Sequence, residues 1–263
     1  NQPLEKRQAA IGMLASAPYE ILAQTVAALL GPRQPLEVQV AAIKSLSSAD
    51  DPAVATVLLS SWSAFTPSVQ TAVIDAIFSR TNRLTGLLDA IERGDVSPQS
   101  LGTLRRIQLL EHSDPELRKR AATLLAKQVP QKSRELVERY RVALAGARDA
   151  TRGEAVFQKV CAKCHRLKSQ GSQVGPDLSA SQNRADDSFL LDMLQPSAKI
   201  TAGYRTYVVA DVRGRVFTGI LASETATSVT LRSAADQAIA KDARQIVEQT
   251  ILRKDIEAMN ASD

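Results

Sequence analysis

Five consecutive residues, Cys161-Ala162-Lys163-Cys164-His165, carry the chemistry this chain is built to do. C-x-x-C-H is the spacing of covalent haem attachment. Two thiols three residues apart stand on one face of a helical turn. From there they can reach the two vinyl groups of one porphyrin. His165, the next residue, then falls under the ring and can offer an imidazole nitrogen to the iron. The chain holds only two cysteines and two histidines, so the motif takes both thiols and one of the imidazoles.

Three other readings of these residues stay open at this point. A zinc site needs four ligands, usually from two such pairs. Here the only other histidine is His112, far upstream. A thioredoxin-like redox pair should follow a buried strand, whereas Gly153 to Val160 reads as a helix. The third alternative is a chance match on a helix.

The elements that must position this motif are mostly helical. Aromatic residues make up 4% of the chain, and alanine and leucine are abundant. The 263 residues leave room for two domains with separate cores. Between residues 1 and 147, helices are expected near 4–15, 19–30, 35–47, 52–64, 67–80, 83–93, 98–112, 115–127 and 131–146. Asp51-Pro52, Thr66-Pro67, Ser97-Pro98 and Asp114-Pro115 each put a capping side chain before a proline at the first helical position. Val38, Ile43 and Leu46 recur as Val69, Ile74 and Ile77, then as Gly102, Ile107 and Leu110. That interval of roughly 31 to 33 residues is the period of stacked helix pairs, as in HEAT-like repeats. Such a solenoid could bind a partner or serve as a docking scaffold. His112 reads as a helix C-terminal residue favoured by the dipole, and Trp62 and Phe65 as packing. Gln131 to Gly146 is expected to bridge to the second domain, and Asp149 to Arg152 to form a hinge.

Beyond the motif, a loop with Gly171, Gly175 and Pro176 precedes a helix near 186–195, stopped by Pro196. Strand-like runs follow at 204–210, 216–221 and 228–232. They predict a small antiparallel sheet or barrel at about 204–248.

From Arg152 onward the chain resembles a class I cytochrome c with an insertion. Val174-Gly175-Pro176-Asp177-Leu178 resembles the G-P-x-L loop after the haem histidine, and Leu191 to Ile200 the following helix and proline. More closely, residues 152–263 resemble the haem-binding cytochrome c domain of the Planctomycetes–Verrucomicrobia type. The matching residues are Arg152-Gly153, the Cys-His motif, Gly175 to Leu178, Pro196-Ser197-Ala198, Tyr204, Gly214, Gly219 and Lys254-Asp255-Ile256-Glu257. The expected fold is therefore mainly α. An N-terminal α-solenoid of HEAT-like helix pairs, 1–147, precedes a class I cytochrome c-like helical domain, 148–263, with a small antiparallel β insertion.

The resemblance implies one covalent haem c, with thioethers to Cys161 and Cys164 and His165 as proximal ligand. It also implies that the Pro176 carbonyl, reached through Gly175, accepts the other ring N–H of His165 and orients the imidazole. In that family a methionine ligand follows the Lys-Asp-Ile-Glu region, before a closing helix. Asn260-Ala261-Ser262-Asp263 contains neither, so the domain is expected to lack its final helix. Met193 is then a sixth-ligand candidate, with apolar packing as its alternative role. Met13 reads as core, and Met259 lies before the family position.

The implied activity is one-electron transfer through the haem to or from a redox partner protein, or in the service of an attached or partner dehydrogenase, with no catalytic residue of its own. The rival readings are a protein-binding repeat scaffold with a structural haem, and an open-site haem enzyme. Haem attachment of this kind is normally completed outside the cytoplasmic membrane, which places the protein in a periplasm or its equivalent. No signal peptide is visible, and the helical composition at Asn1 suggests a processed piece. No apolar run is long enough to span a membrane. The net charge of +5 could steer an acidic partner. No Lys/Arg block or binding motif points to nucleic acid.

Overall fold

The computed structural model describes residues 2–126, 131–181, 185–194, 200, 203–234 and 246–262. Helices dominate, and a five-stranded antiparallel sheet follows them in the chain. Eight helices come first: α1 (Leu4–Met13), α2 (Tyr19–Leu29), α3 (Leu36–Ser47), α4 (Val54–Leu59), α5 (Pro67–Phe78), α6 (Leu84–Arg93), α7 (Thr103–Leu110) and α8 (Pro115–Ala126). Most bury a stripe at helical spacing, whereas α1 buries only Ile11 and α7 only Leu109. In α6 the stripe is Leu84, Leu87, Leu88 and Ile91. The stripes meet in two rows: α1 packs on α3 and α3 on α5, while α2, α4, α6 and α8 pack in succession. One core runs through both rows, from Ile11 to Leu125.

Arg83 ties neighbouring pairs together. It is fully buried, and its guanidinium donates to the carbonyls of Ala76 at 2.7 Å, Ser47 at 2.8 Å and Ala49 at 2.5 Å. These carbonyls lie at or just beyond the C-terminal turns of α3 and α5, where helices leave acceptors unpaired. Burial pushes the guanidinium below its ordinary pKa.

Several local expectations fail here. Asp114 accepts the Glu116 and Leu117 amides at the start of α8; Asp51 accepts the Ala53 amide, but α4 begins only at Val54, not at Pro52. Thr66 and Ser97 do not cap: Thr66 donates its hydroxyl to Glu224 instead, and Ser97 pairs with Gln99. Pro98 starts only a 3-10 turn, and α7 begins at Thr103. The third repeat copy also breaks, since Ile107 and Leu110 are 44% and 39% exposed while Leu109 is buried. Met13, read as core, is 73% exposed in the last turn of α1.

After α8 come α9 (Gln131–Arg141), α10 (Ala150–Val156), the two-residue strands β1 (Arg166–Leu167) and β2 (Gln170–Gly171), and α11 (Asp186–Leu194). Asp149 is not a hinge residue but the cap of α10, accepting from the Arg152 amide at 2.9 Å. α9 packs on α11, with Arg141–Asp187 and Arg148–Asp186 ion pairs across that junction.

The sheet reaches further than the stretch 204–248. β3 (Thr206–Asp211), β4 (Val216–Glu224), β5 (Ser228–Ala234) and β6 (Ile246–Leu252) form a meander. A 3-10 turn at Arg253–Asp255 then returns the chain to the opposite edge, where β7 (Ile256–Ser262) pairs with β3. The Lys254-Asp255-Ile256-Glu257 run is therefore this turn and the start of β7. Met259 is buried in the sheet's own core with Tyr207, Val209 and Leu231.

The sheet is seated on loops of the helical rows. The Tyr207 hydroxyl donates to the Phe65 carbonyl at 3.0 Å, in a buried position. Burial pushes the Tyr207 pKa up to about 12. Arg253, also buried, pairs with Glu224 and donates to the Pro32 carbonyl at 3.1 Å. Arg33 donates to the Ile256 carbonyl at 2.7 Å. Trp62 and Phe65 are buried, as expected of packing residues.

Candidate haem site

The cysteine motif sits where a helix gives way to a loop. α10 runs into a wider turn, Phe157–Cys161, in which the Ala162 amide reaches the Phe157 carbonyl five residues back at 2.8 Å. Phe157 is buried there, which anchors the turn. The chain then folds over on itself. The amides of Cys164 and His165 both donate to the Cys161 carbonyl, at 3.1 and 2.9 Å.

The following loop clamps these residues by backbone hydrogen bonds. The Ser172 amide donates to the Ala162 carbonyl at 3.0 Å, and its hydroxyl to the Lys163 carbonyl at 2.5 Å. The Gly175 amide donates to the Cys164 carbonyl at 2.5 Å. Ser172 is buried. It was not singled out in the sequence, where nothing distinguishes a serine after a glycine from an ordinary turn.

Two glycines let the loop come this close. Gly171 adopts a φ of +90°, and a Cβ on it would lie 2.1 Å from the His165 carbonyl oxygen. At Gly175 a Cβ would lie 2.7 Å from His165 Cε1 and 2.9 Å from Nδ1. The imidazole therefore lies against the bare α-carbon of Gly175.

His165 Nδ1 is 2.8 Å from the Pro176 carbonyl oxygen. That oxygen can only accept, so Nδ1 carries the proton and Nε2 keeps its lone pair. Asp177 follows in the same loop and accepts from the Ser179 amide at 2.8 Å. The hydroxyl and amide of Ser179, with Arg166 nearby, hold the Asp177 carboxyl below its ordinary pKa.

The structure thus brings Cys161, Cys164, His165, Gly175 and Pro176 into one loop cluster. Both thiols are free, Cys164 exposed and Cys161 half-buried. Met193 lies apart on α11 and is 61% exposed. Pro196-Ser197-Ala198 lies outside the described residues. His112 follows α7 and accepts the Asp114 amide through Nδ1, a loop role. Among the described residues no group of three or more His, Cys, Asp and Glu side chains gathers to hold a metal ion. The zinc alternative is therefore left without a ligand set. A helix and a wide turn, not a strand, precede Cys161, which also counts against a thioredoxin-like pair.

Residues 150–215 match the cytochrome c family. A cytochrome c domain implies covalently bound haem c and one-electron transfer. The match covers the cysteine motif, the Gly-Pro loop, α11 and β3, and leaves residues 1–149 and 216–263 outside it. No curated protein matches the chain. Among the described residues no helix is long and apolar enough to cross a membrane.

The residues around the motif fit a haem. The thiols are unpaired, the imidazole keeps one nitrogen open, and a glycine cradle fixes the ring. When bound, the haem supplies an iron that cycles between two oxidation states.

Proposed function

We propose that this protein is an extracytoplasmic electron-transfer protein carrying one haem c. Cys161 and Cys164 form the thioethers and His165 is the proximal ligand. Gly175 and Pro176 position the imidazole. The single observation that carries this reading is the Nδ1 hydrogen bond to Pro176, which leaves Nε2 as the ring nitrogen free to bind iron. Donation to a carbonyl also raises the basicity of the ligating nitrogen.

Met193 is the candidate for the sixth ligand, on the exposed surface of α11. The cytochrome unit resembles the Planctomycetes–Verrucomicrobia type, and its donor or acceptor is a redox partner protein or a dehydrogenase. The two rows of helices support a HEAT-like reading of residues 1–147, because each pair covers the apolar face of the next. The sequence resemblance would make 148–263 the second domain, but the hydrogen bonds from Tyr207 to Phe65 and from Arg33 to Ile256 support joining the sheet to the helical rows instead.

The test is the protein matured in a haem-attaching periplasm. A pyridine haemochrome of the c type is expected after denaturation, and His165→Ala should lose the native low-spin spectrum while keeping the thioethers. A native spectrum unchanged by His165→Ala overturns the ligand assignment. The absence of any haemochrome overturns the cytochrome reading. Met193→Ala separates the sixth-ligand question, since loss of the low-spin state with His165 and both cysteines intact would assign the Met193 sulfur.

A further inference from the structure

We infer that residues 2–126, 203–234 and 246–262 fold as one body, into which the haem-bearing segment is inserted as a separate cassette joined to it at both ends. Only the cassette's cargo rests on the haem reading; the division itself does not.

The joint between helices and sheet is built like an interior. Arg253 and Glu224 pair with both side chains almost fully buried. Thr66 adds its hydroxyl to Glu224 from the helical side at 3.0 Å. Arg253 continues across to the Pro32 carbonyl and back to Thr225 at 3.1 Å. Tyr207 reaches Phe65, Arg33 reaches Ile256, and β7 packs along the Trp62–Ala64 turn. Each charge is therefore met partly from the sheet and partly from the helical loops. Separating the two halves would leave Arg253 and Glu224 without some of their partners.

The haem segment closes on itself instead. From Asp149 to Ser179 its hydrogen bonds join α10, the motif and the loop to one another. Its ion pairs hold α9 to α11. The helical core and the sheet core take no side chain from 131–194 among the described residues. The sheet locks the returning chain to the helical rows, so the haem unit is held by two lengths of chain rather than hung from one.

The experiment is hydrogen–deuterium exchange on the full chain, followed peptide by peptide, in Arg253→Met and in the milder Tyr207→Phe. Both variants should raise exchange together in the sheet and in the loops and helices around Pro32 and Phe65. In Arg253→Met the factor should be about tenfold or more, as loss of charged hydrogen bonds implies. Residues 150–181 should exchange as in the parent. The readout does not need haem, so it stands even if the cytochrome reading fails. Exchange rising in the sheet alone would show that the helical rows are a separate body. Exchange rising in step within 150–181 would show that the haem segment belongs to the same body. Either result overturns the inference. If Arg253→Met does not fold, Tyr207→Phe, which keeps the ring, decides.

Discussion

The Arg83 node and the Cys161–Pro176 loop solve the same problem in opposite ways. Both must satisfy backbone carbonyls where helices end. In the helical rows one buried side chain does so, reaching four acceptors from the interior. In the haem loop the backbone amides of Ala162, Cys164, His165, Ser172 and Gly175 do it, with the Ser172 hydroxyl. The motif's thiols are left unspent, and the imidazole uses only Nδ1. A region that keeps its side chains for a cofactor has to be held by its backbone. It also buries little of its own: Phe157, Ser172 and Leu190 are buried, while Val156, Val160 and Met193 are exposed. The helical rows carry a continuous core and need no such help.

The largest effect that would sharpen this contrast comes from removing both thiols. Cys161→Ser with Cys164→Ser should abolish covalent haem and sharply raise exchange across 150–181. The helical rows should melt as before, measured by circular dichroism. If the rows melt earlier as well, the two regions are not independent.

Arg83→Ala is the reciprocal break. It strips charged hydrogen bonds from buried carbonyls and should cost about 3 kcal/mol of stability by denaturant unfolding. The absorption spectrum of the haem should not move. Gly175→Ala should come next. Its Cβ forces the imidazole or the loop to shift by some tenths of an ångström. We expect a changed reduction potential and a weakened low-spin spectrum, with the melting of the helices untouched.

The smallest expected effect is at Tyr207. Its pKa in the folded protein is raised from the ordinary value of 10.0 to about 12 by burial. The unfolded chain therefore loses this proton first as pH rises. The stability tied to the neutral hydroxyl is complete below pH 10 and lost toward pH 12. Tyr207→Phe should cost about 1 kcal/mol at neutral pH and flatten the decline of stability between pH 10 and 12. An equally steep alkaline decline in that variant would assign it to other groups.

The legible parts of this molecule are the local ones. Cys161 to His165 and Gly175-Pro176 state their chemistry in a few residues, and proline starts such as Pro67 and Pro115 mark helices in place. Periodicity, however, gives a stripe without saying what covers it. Ile107 follows the repeat pattern and is exposed, because α7 turns Leu109 into the core and Arg105, one turn before it, toward Asp75. Met13 fails for the same reason. Thr66 had every mark of a cap, but a carboxylate 158 residues away took its hydroxyl. The joint between sheet and helices is invisible locally, since its hydrogen bonds span 142 to 223 residues.

Those spans also set a timetable. A chain that emerges N-terminus first presents Pro32 and Phe65 early, then Cys161 and Cys164, and only afterwards Tyr207, Glu224 and Arg253. Contacts this distant in sequence form slowly. The motif is already out while the joint is still open. The order of residues along the chain thus lets the segment that holds Cys161 to His165 fold by its own local contacts before the helical rows and the sheet lock together.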